Sequence, residues 1–596
     1  MNQNFLQLIS QLQTNYDSNI QVVDELIFSQ KRTLKKIEFY WNSRYINGQL
    51  DELGRIKPFY NISKFRVNVA TRATDLDVKD FQIYSENPSD RVRSMILNKE
   101  VFNWMKDTNF SKVLNDFGKT RAKYGGALIK KTEKNKELMI EVVPWKNVIT
   151  DQVDILQGAI IEIHYMSPAE ISKKRDVWEN IDEALQLATE RRGKNKESKG
   201  NEKLIPVLEI HGEFPETFDP EIPYGEGDPN KYKPMMFYVA GNFGEKQVML
   251  YYEEEKAFPY KYLAWDSVPG RALGVGVVED GFEAQMWINE AITAEKNVMD
   301  LAGKVFIKTN STQLGNNILS DAVNGQILEM EDGADASLLN LAPNSLPQFQ
   351  NLVEKWNVQY ERATNTFDTV SGETLPSATT LGAVAIQTAQ ASSFFDYRRE
   401  EAGIFWTEVF YKWVLPHITK KINKAHILAS DFSAQELSEI DKAFSVYNVN
   451  DIVKKNLLNG KVTTQEEYDE MILAITELQR VNGKRRFLDI PEGYFKDFKP
   501  KIYLNVTGEN KDKKAMQANI FAILGQIQAN PNILQDPNLL QLFNQLLDLT
   551  GVNFYPIPVA NTEVPQEGSK TSVSETIEEP ALIEQTNAVL PEAQQS

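Results

Sequence analysis

The chain has 596 residues, of which 42% are hydrophobic and 10% aromatic, enough apolar material for several cores of ordinary domain size. It contains no cysteine, which excludes a disulfide framework, cysteine-ligated zinc and thiol catalysis. Its net charge of −18 excludes an ordinary DNA-gripping domain, which would be basic.

The N-terminus, MNQNFLQLISQLQTNYD, has neither a basic leader nor a long apolar run, so no secretory signal is expected. Residues 1–47 read as helical, with Val23, Ile27, Leu34, Ile37 and Trp41 on one stripe. The basic run Lys31-Arg32 and Lys35-Lys36 within it reads as a solvated face. From Ile56 to Ile210 the pattern is α+β. One helix is expected over Val101–Phe117, then a turn at Tyr124-Gly125-Gly126 into a strand, with further strands over Leu138–Pro144 and Gly158–Tyr165. Ser167-Pro168-Ala169-Glu170 is a complete helix start, with a capping Ser, Pro at the first helical position and Glu reaching back from the third. Thr189–Lys203 is densely charged without a large apolar residue and reads as a solvated insertion. Glu221–Pro234 reads as a loop, and Met235–Tyr252 and Tyr260–Trp265 as strands.

The centre of the chain is the most informative part. Val278–Ala302 reads as a long helix with Ala284, Trp287, Ile288, Ala291, Val298 and Leu301 on its apolar stripe. Glu283 and Glu290 fall together on a different face. Lys304–Pro343 contains short strands, with Asn324-Gly325 a hairpin signal before QILEM. A second helix returns over Leu346–Val370, its stripe being Phe349, Leu352, Trp356, Ala363, Phe367 and Val370. Residues 275–370 hold 14 acids against 5 bases, half the net charge of the chain. A loop from Ser371 to Thr380 follows, and Thr374–Phe395 carries no charge. Its Gln, Ser and Thr residues argue against a lipid-facing span. A long helix is expected over Ala378–Pro416, then a mostly helical region over 431–550 with capping boxes at Ser433–Glu436 and Thr463–Glu466. After Tyr555 there is no aromatic residue, seven Glu stand against one Lys, and the composition is that of a disordered-type tail.

Enzymatic signatures are missing. There is no P-loop, and Gly274-x-Gly276 lacks the third glycine of a dinucleotide fingerprint, so it reads as a flexible entrance to the helix. The histidines His164, His211, His417 and His426 have no metal-ligand spacing and read as structural or surface residues. Glu329-Met330-Glu331-Asp332-Gly333-Ala334-Asp335 resembles a calcium loop but puts Met330 where an oxygen ligand is needed. No catalytic residue, metal or cofactor is expected.

The segment order resembles the portal proteins of tailed bacteriophages, over roughly Ile56–Gly551, and most closely those of the crAss-like phages. The resemblance rests on Tyr124-Gly125-Gly126 before a strand, His164-Tyr165-Met166-Ser167-Pro168-Ala169-Glu170-Ile171, Gly270-Arg271-Ala272-Leu273-Gly274-Val275-Gly276 leading to Trp287-Ile288-Asn289, and Ser371-Gly372-Glu373 before the uncharged loop. It implies an α+β, mainly helical ring subunit, with 1–270 most of the wing, 271–303 and 344–370 a two-helix stem, and 304–343 a clip. It further implies a tunnel loop at 371–380, a long wing helix at 381–430, a helical crown at 431–555 and a tail at 556–596. A ring of twelve copies at one capsid vertex of the virion, assembled in the bacterial cytoplasm, would pass double-stranded DNA without reading its sequence. The implied partners are a separate terminase, the major capsid protein and head–tail connector proteins, with no membrane. An acidic wall repels and centres a sliding duplex, whereas a basic wall would trap it. The candidate channel acids are Glu283 and Glu290. The candidate tunnel loop comprises Gly372, Glu373, Thr374, Pro376, Ser377, Thr379 and Thr380, and the candidate adaptor contacts are Asn324, Gly325, Glu329, Glu331 and Asp332. The competing readings are a nuclease or ATP-driven packaging enzyme, for which the required motifs are missing, and a structural ring or adaptor that never meets DNA.

Overall fold

The computed structural model describes residues 3–504, except 195–203, 303–305, 311–335, 340–345, 368–380, 482–486 and gaps of one to three residues. The chain divides into units 1–507 and 508–596, and the second lies wholly outside the described residues. The first unit is mixed α/β.

Two antiparallel sheets are built around the β-rich stretch 126–264. The larger has five strands in the order Val248–Glu254, Tyr232–Ala240, Ile205–Pro215, Ile160–Met166, Val148–Ile149. The smaller has three, Tyr260–Ala264, Gly126–Lys134 and Glu137–Val142. Ile205–Pro215 is the central strand of the larger sheet and is buried along nearly its whole length. Leu208, Ile210 and Phe214 pack into one core with Phe237 and Val239, while Ile205 and Val207 join a second core with Val248 and Leu250. The period-two alternation of a strand sends successive residues to opposite cores.

Helical packing closes over the smaller sheet. Phe110–Tyr124, Arg91–Asp107 and Leu381–Val409 supply Trp104, Phe110, Phe117 and Trp406, which meet Phe410 in one aromatic cluster. Ile440, Phe444 and Tyr494 belong to the same core, and Lys501–Leu504 pairs antiparallel with Phe81–Tyr84. The described residues of 434–504 thus share an apolar core with the elements at 81–142 and 402–422.

Several boundaries differ from the sequence reading. The expected N-terminal helix is interrupted: Gln3–Asp17 and Gln30–Trp41 are helical, but Ile20–Val23 and Leu26–Phe28 pair as a hairpin that leaves Val23 and Ile27 exposed. The β-branched run IQVV outweighs the helical spacing there. The helix expected from Val101 begins at Arg91 and stops at Asp107, with Asn109 at φ 53° before the next helix, a left-handed position Asn tolerates. Ile181–Lys194 is helical and takes up the start of the expected charged insertion, Thr189 to Lys194. Pro416 does not end the long helix. A π-helical turn, Phe410–Val414, precedes a renewed helix Leu415–Ile422, and Pro416 sits near its start, where a missing N–H is tolerated. The second capping box is shifted by one residue. The Thr464 hydroxyl accepts from the Glu467 amide at 3.3 Å, and the Thr464 amide donates to the Glu467 carboxylate at 3.2 Å. Ser433 lies outside the described residues. Ser167–Glu170 is a complete capping box, as its sequence requires.

Candidate functional site

The central motif folds as helix, paired strands, helix. Phe282–Ala302 runs out, Phe306–Thr309 pairs antiparallel with Ala336–Leu339, and Leu346–Thr364 runs back. Gly281 lies against the Tyr360 ring and Trp287 stacks on Trp356 with centroids 5.8 Å apart, so positions advance on one helix as they retreat on the other. The outgoing helix begins only after a short separate turn, Val277–Asp280, and Gly281 is the joint. A Cβ there would come within 2.0 Å of the Tyr360 ring, so this glycine is required by close approach.

The outgoing helix is held from one side. Gln285 accepts from the Ile62 and Ser63 amides at 3.0 and 2.9 Å, Asn289 accepts from the Tyr60 amide at 2.8 Å, and Arg55 pairs with Asp300 at 3.0 Å. Ala284, Ile288 and Ala291 are buried as expected, but Trp287 is 43% exposed. It belongs to the open face with Glu283, Met286 and Glu290 rather than to the core stripe. Seven residues on an α-helix return to within about 20° of the same direction, so Glu283 and Glu290 share that face. Both are exposed, and neither has a cationic partner among the described residues. Burial first, and then the Glu290 charge, hold the Tyr40 hydroxyl above its ordinary value, and burial is also the main cause that raises Tyr45, where the Glu290 charge is the smallest contribution.

On the return helix the inward stripe is Val353 and Trp356, both half-buried, with Tyr360 and Thr364, both buried. Leu352 and Ala363, expected on it, are exposed. Tyr360, fully buried with its hydroxyl 3.3 Å from the Val277 carbonyl, is the anchor that spacing of the larger apolar residues missed. Glu361 points inward to Arg66 at 2.6 Å, and Arg66 also donates to the Thr366 carbonyl at 2.6 Å. Glu279 is held bidentately by Arg271 at 2.9 Å. Glu279, Asp300 and Glu361 are therefore spent on internal pairs. The acids from Asp321 to Asp335 lie outside the described residues. So do Asn324, Gly325, Glu329, Glu331 and Asp332, and the whole loop with Gly372, Glu373, Thr374, Pro376, Ser377, Thr379 and Thr380.

Two motifs distant in sequence meet at the root of this helix. Gly125 ends the helix Phe110–Tyr124 at φ 90° and lies against Gly274 and Gly276. A Cβ on Gly274 would stand 2.4 Å from the Gly125 carbonyl oxygen, and one on Gly276 would stand 2.5 Å from the Gly125 nitrogen. Gly274-x-Gly276 is thus a close-packed backbone crossing, not a flexible entrance. The Trp265 amide donates to the Gly125 carbonyl at 2.8 Å, and the Gly274 amide donates to the Tyr262 hydroxyl at 3.0 Å. Arg271 stacks over Phe28 at 4.0 Å and donates to the Leu273 and Gly274 carbonyls, which fixes the loop.

A third constellation joins the two sheets. The Glu209 carboxylate accepts from His164 at 2.8 Å, His211 at 3.1 Å and the Tyr238 hydroxyl at 2.6 Å, and pairs with Lys130. Lys130 also reaches Glu162 at 3.0 Å, and the other nitrogen of His211 meets Glu255 at 2.9 Å. Burial opposes the charge on Glu209, but bonds from His164 and His211, with the Lys130 charge, hold it well below the usual carboxylate range. Burial likewise opposes the charge on His211, and Glu209 and Glu255 outweigh it and raise that histidine. Glu162, His164 and Glu209 offer atoms close enough together for a metal ion. The Lys130 ammonium, itself buried, already pairs with both carboxylates and does the neutralising a cation would do. The cluster is an ionic clasp between sheets. Sequence spacing could not announce it, because its members come from four strands and a turn.

No helix among the described residues is long and apolar enough to cross a membrane. Neither a protein-family model nor a curated protein matches the chain.

Proposed function

We propose that this chain is the subunit of a portal-type ring, a channel through which double-stranded DNA is packaged and later released. The observation that carries the reading is the antiparallel helix pair linked by paired strands, with Glu283 and Glu290 unneutralised on its open face. On this reading the helix pair is the stem of the ring and the mixed α/β body its wing. Repeated around a closed ring, the two acids form circles of negative charge that keep a duplex centred and unattached. The rigid root supports this. Gly125, Gly274 and Gly276 cross at backbone contact, and Arg66 ties the return helix to Ile62–Ala73, so the helix pair is braced at its base. About twelve copies, a virion location, and a terminase, capsid protein and head–tail connectors as partners belong to this proposal.

Negative-stain electron microscopy of the purified full-length chain is the direct test. Closed rings with a central hole wide enough for duplex DNA are expected. A monomer that turns over nucleotide would replace the proposal with a packaging enzyme. Rings that assemble normally but whose helix-pair variants package DNA unchanged would leave only a structural adaptor.

A further inference from the structure

The strongest unexplained charge is opposite in sign to the acidic helix face, and it adjoins the start of that helix, where Lys36 stands over Phe282. Gln30–Trp41, Ile62–Ala73 and Phe110–Tyr124 pack against one another and carry 11 basic residues against 2 acids, in a chain of net −18. Part of that charge is internal. Arg66 pairs with Glu361, Arg121 with Glu401, Lys123 with Glu38, and Lys31 with Asp17. Arg32, Lys35, Lys36, Lys64 and Lys119 are exposed and have no carboxylate partner among the described residues.

Aromatic rings gather these ammonium groups. Around the single ring of Trp41 stand Lys64 at 5.5 Å, Lys119 at 5.2 Å and Lys123 at 4.7 Å from the centroid. Lys36 lies over Phe282 at 5.5 Å and Lys35 over Phe39 at 5.9 Å. Cation–π attraction fixes each head group, yet three like charges around one ring repel each other, and among the described residues only Lys123 of the three has a counter-charge. Such a site gains most from an anion that bridges several of its cations. With Arg72 and Lys112, seven basic groups of these helices have no carboxylate partner among the described residues, and five of the seven are lysines, point charges that accept phosphate oxygens from any direction. Carboxylate partners would favour the planar fork of arginine.

We propose that this three-helix face binds the phosphodiester backbone of a nucleic acid, without reading its sequence. The net negative charge of the whole chain does not prevent this, because charges beyond roughly 10 Å are screened at ordinary salt. The inference stands on the lysine–tryptophan cluster and does not require the ring reading. It would give the protein a holding contact with nucleic acid, distinct in sign from the acidic helix face.

The test is fluorescence anisotropy of the full-length chain with two labelled DNA duplexes of unrelated sequence, from about 50 to 200 mM salt. Both duplexes should bind with the same affinity. The triple variant Lys36→Glu/Lys64→Glu/Lys119→Glu should bind at least tenfold more weakly and lose about 3 from the salt slope, near 0.9 per phosphate contact. A Lys→Gln triple variant, which removes the charge but keeps a polar side chain, should lose the same slope, and unchanged thermal unfolding checks that both are folded. Absence of duplex binding at the lowest salt, or a slope unaltered in both variants, overturns the proposal. Labelled polyglutamate binding as tightly as the duplexes also overturns it, in favour of an acidic protein partner.

Discussion

Replacing Glu209 by Gln keeps the shape of the residue at the centre of the clasp and removes its charge. The native carboxylate takes bonds from His164, His211 and Tyr238 and pairs with Lys130, and both Glu209 and Lys130 are buried. A carboxylate offers only acceptors, whereas an amide turns two donors toward these donors. Breaking a buried ion pair from one side costs about 3–5 kcal/mol, because the partner stays charged and unsolvated. If the two sheets open locally through this clasp, amide exchange in Ile205–Pro215 and Ile160–Met166 should accelerate by roughly two to four decades. Hydrogen-exchange mass spectrometry on the full-length chain reads this, with the Phe282–Ala302 peptide as internal reference. The same native strands should show a pH window. The contribution of His211, whose value is raised, is complete below the ordinary histidine value of about 6.5 and is lost as pH rises through the raised one. That of Glu209, whose value is depressed, is complete above the ordinary carboxylate value of about 4.3 and is lost only as pH falls through the depressed one. Protection should therefore be greatest between about pH 4.5 and 6.5, and His211→Gln should abolish the alkaline loss. Native-like protection of both strands in Glu209→Gln would refute the idea that the clasp holds the sheets together.

Three further outcomes follow from the site. Glu283→Lys combined with Glu290→Lys should leave rings intact and slow DNA packaging most strongly at low salt, where charge effects are least screened; packaging at the native rate there would remove these acids from the channel. Gly276→Ala puts a Cβ 2.5 Å from the Gly125 nitrogen and should destabilise by about 1–3 kcal/mol or more through overpacking, seen as a lower unfolding temperature. An unchanged transition would mean that the crossing has room to spare. Arg66→Met removes the buried ion pair to Glu361 and should cost up to about 3–5 kcal/mol. The expected readout is faster proteolysis within Leu346–Thr364, and native resistance would contradict the bracing role assigned to that pair.

Local signals were legible wherever the neighbouring residues decide the backbone. The Ser167–Glu170 start, the strand after Gly126, and the helix–strand–helix centre all follow from capping chemistry, glycine at a left-handed cap, and apolar spacing. The shared direction of Glu283 and Glu290 also follows from spacing alone, because helical geometry fixes it. Tertiary structure decided the rest. Trp287 looked like core by spacing, but its ring stacks on Trp356 and stays half open, since the other side of the helix is taken up by residues 55–63. Gly274 and Gly276 acquired their purpose only when Gly125, some 150 residues earlier, came into backbone contact with them. His211 and Glu209 sit two apart in a strand that otherwise reads as buried and apolar, and their pairing with Lys130 and Glu255 needs both sheets in place. Spacing along a chain sets which way a side chain points from its own element. What it meets there depends on the approach of other elements, and a polar group can be buried only where that approach brings it a partner.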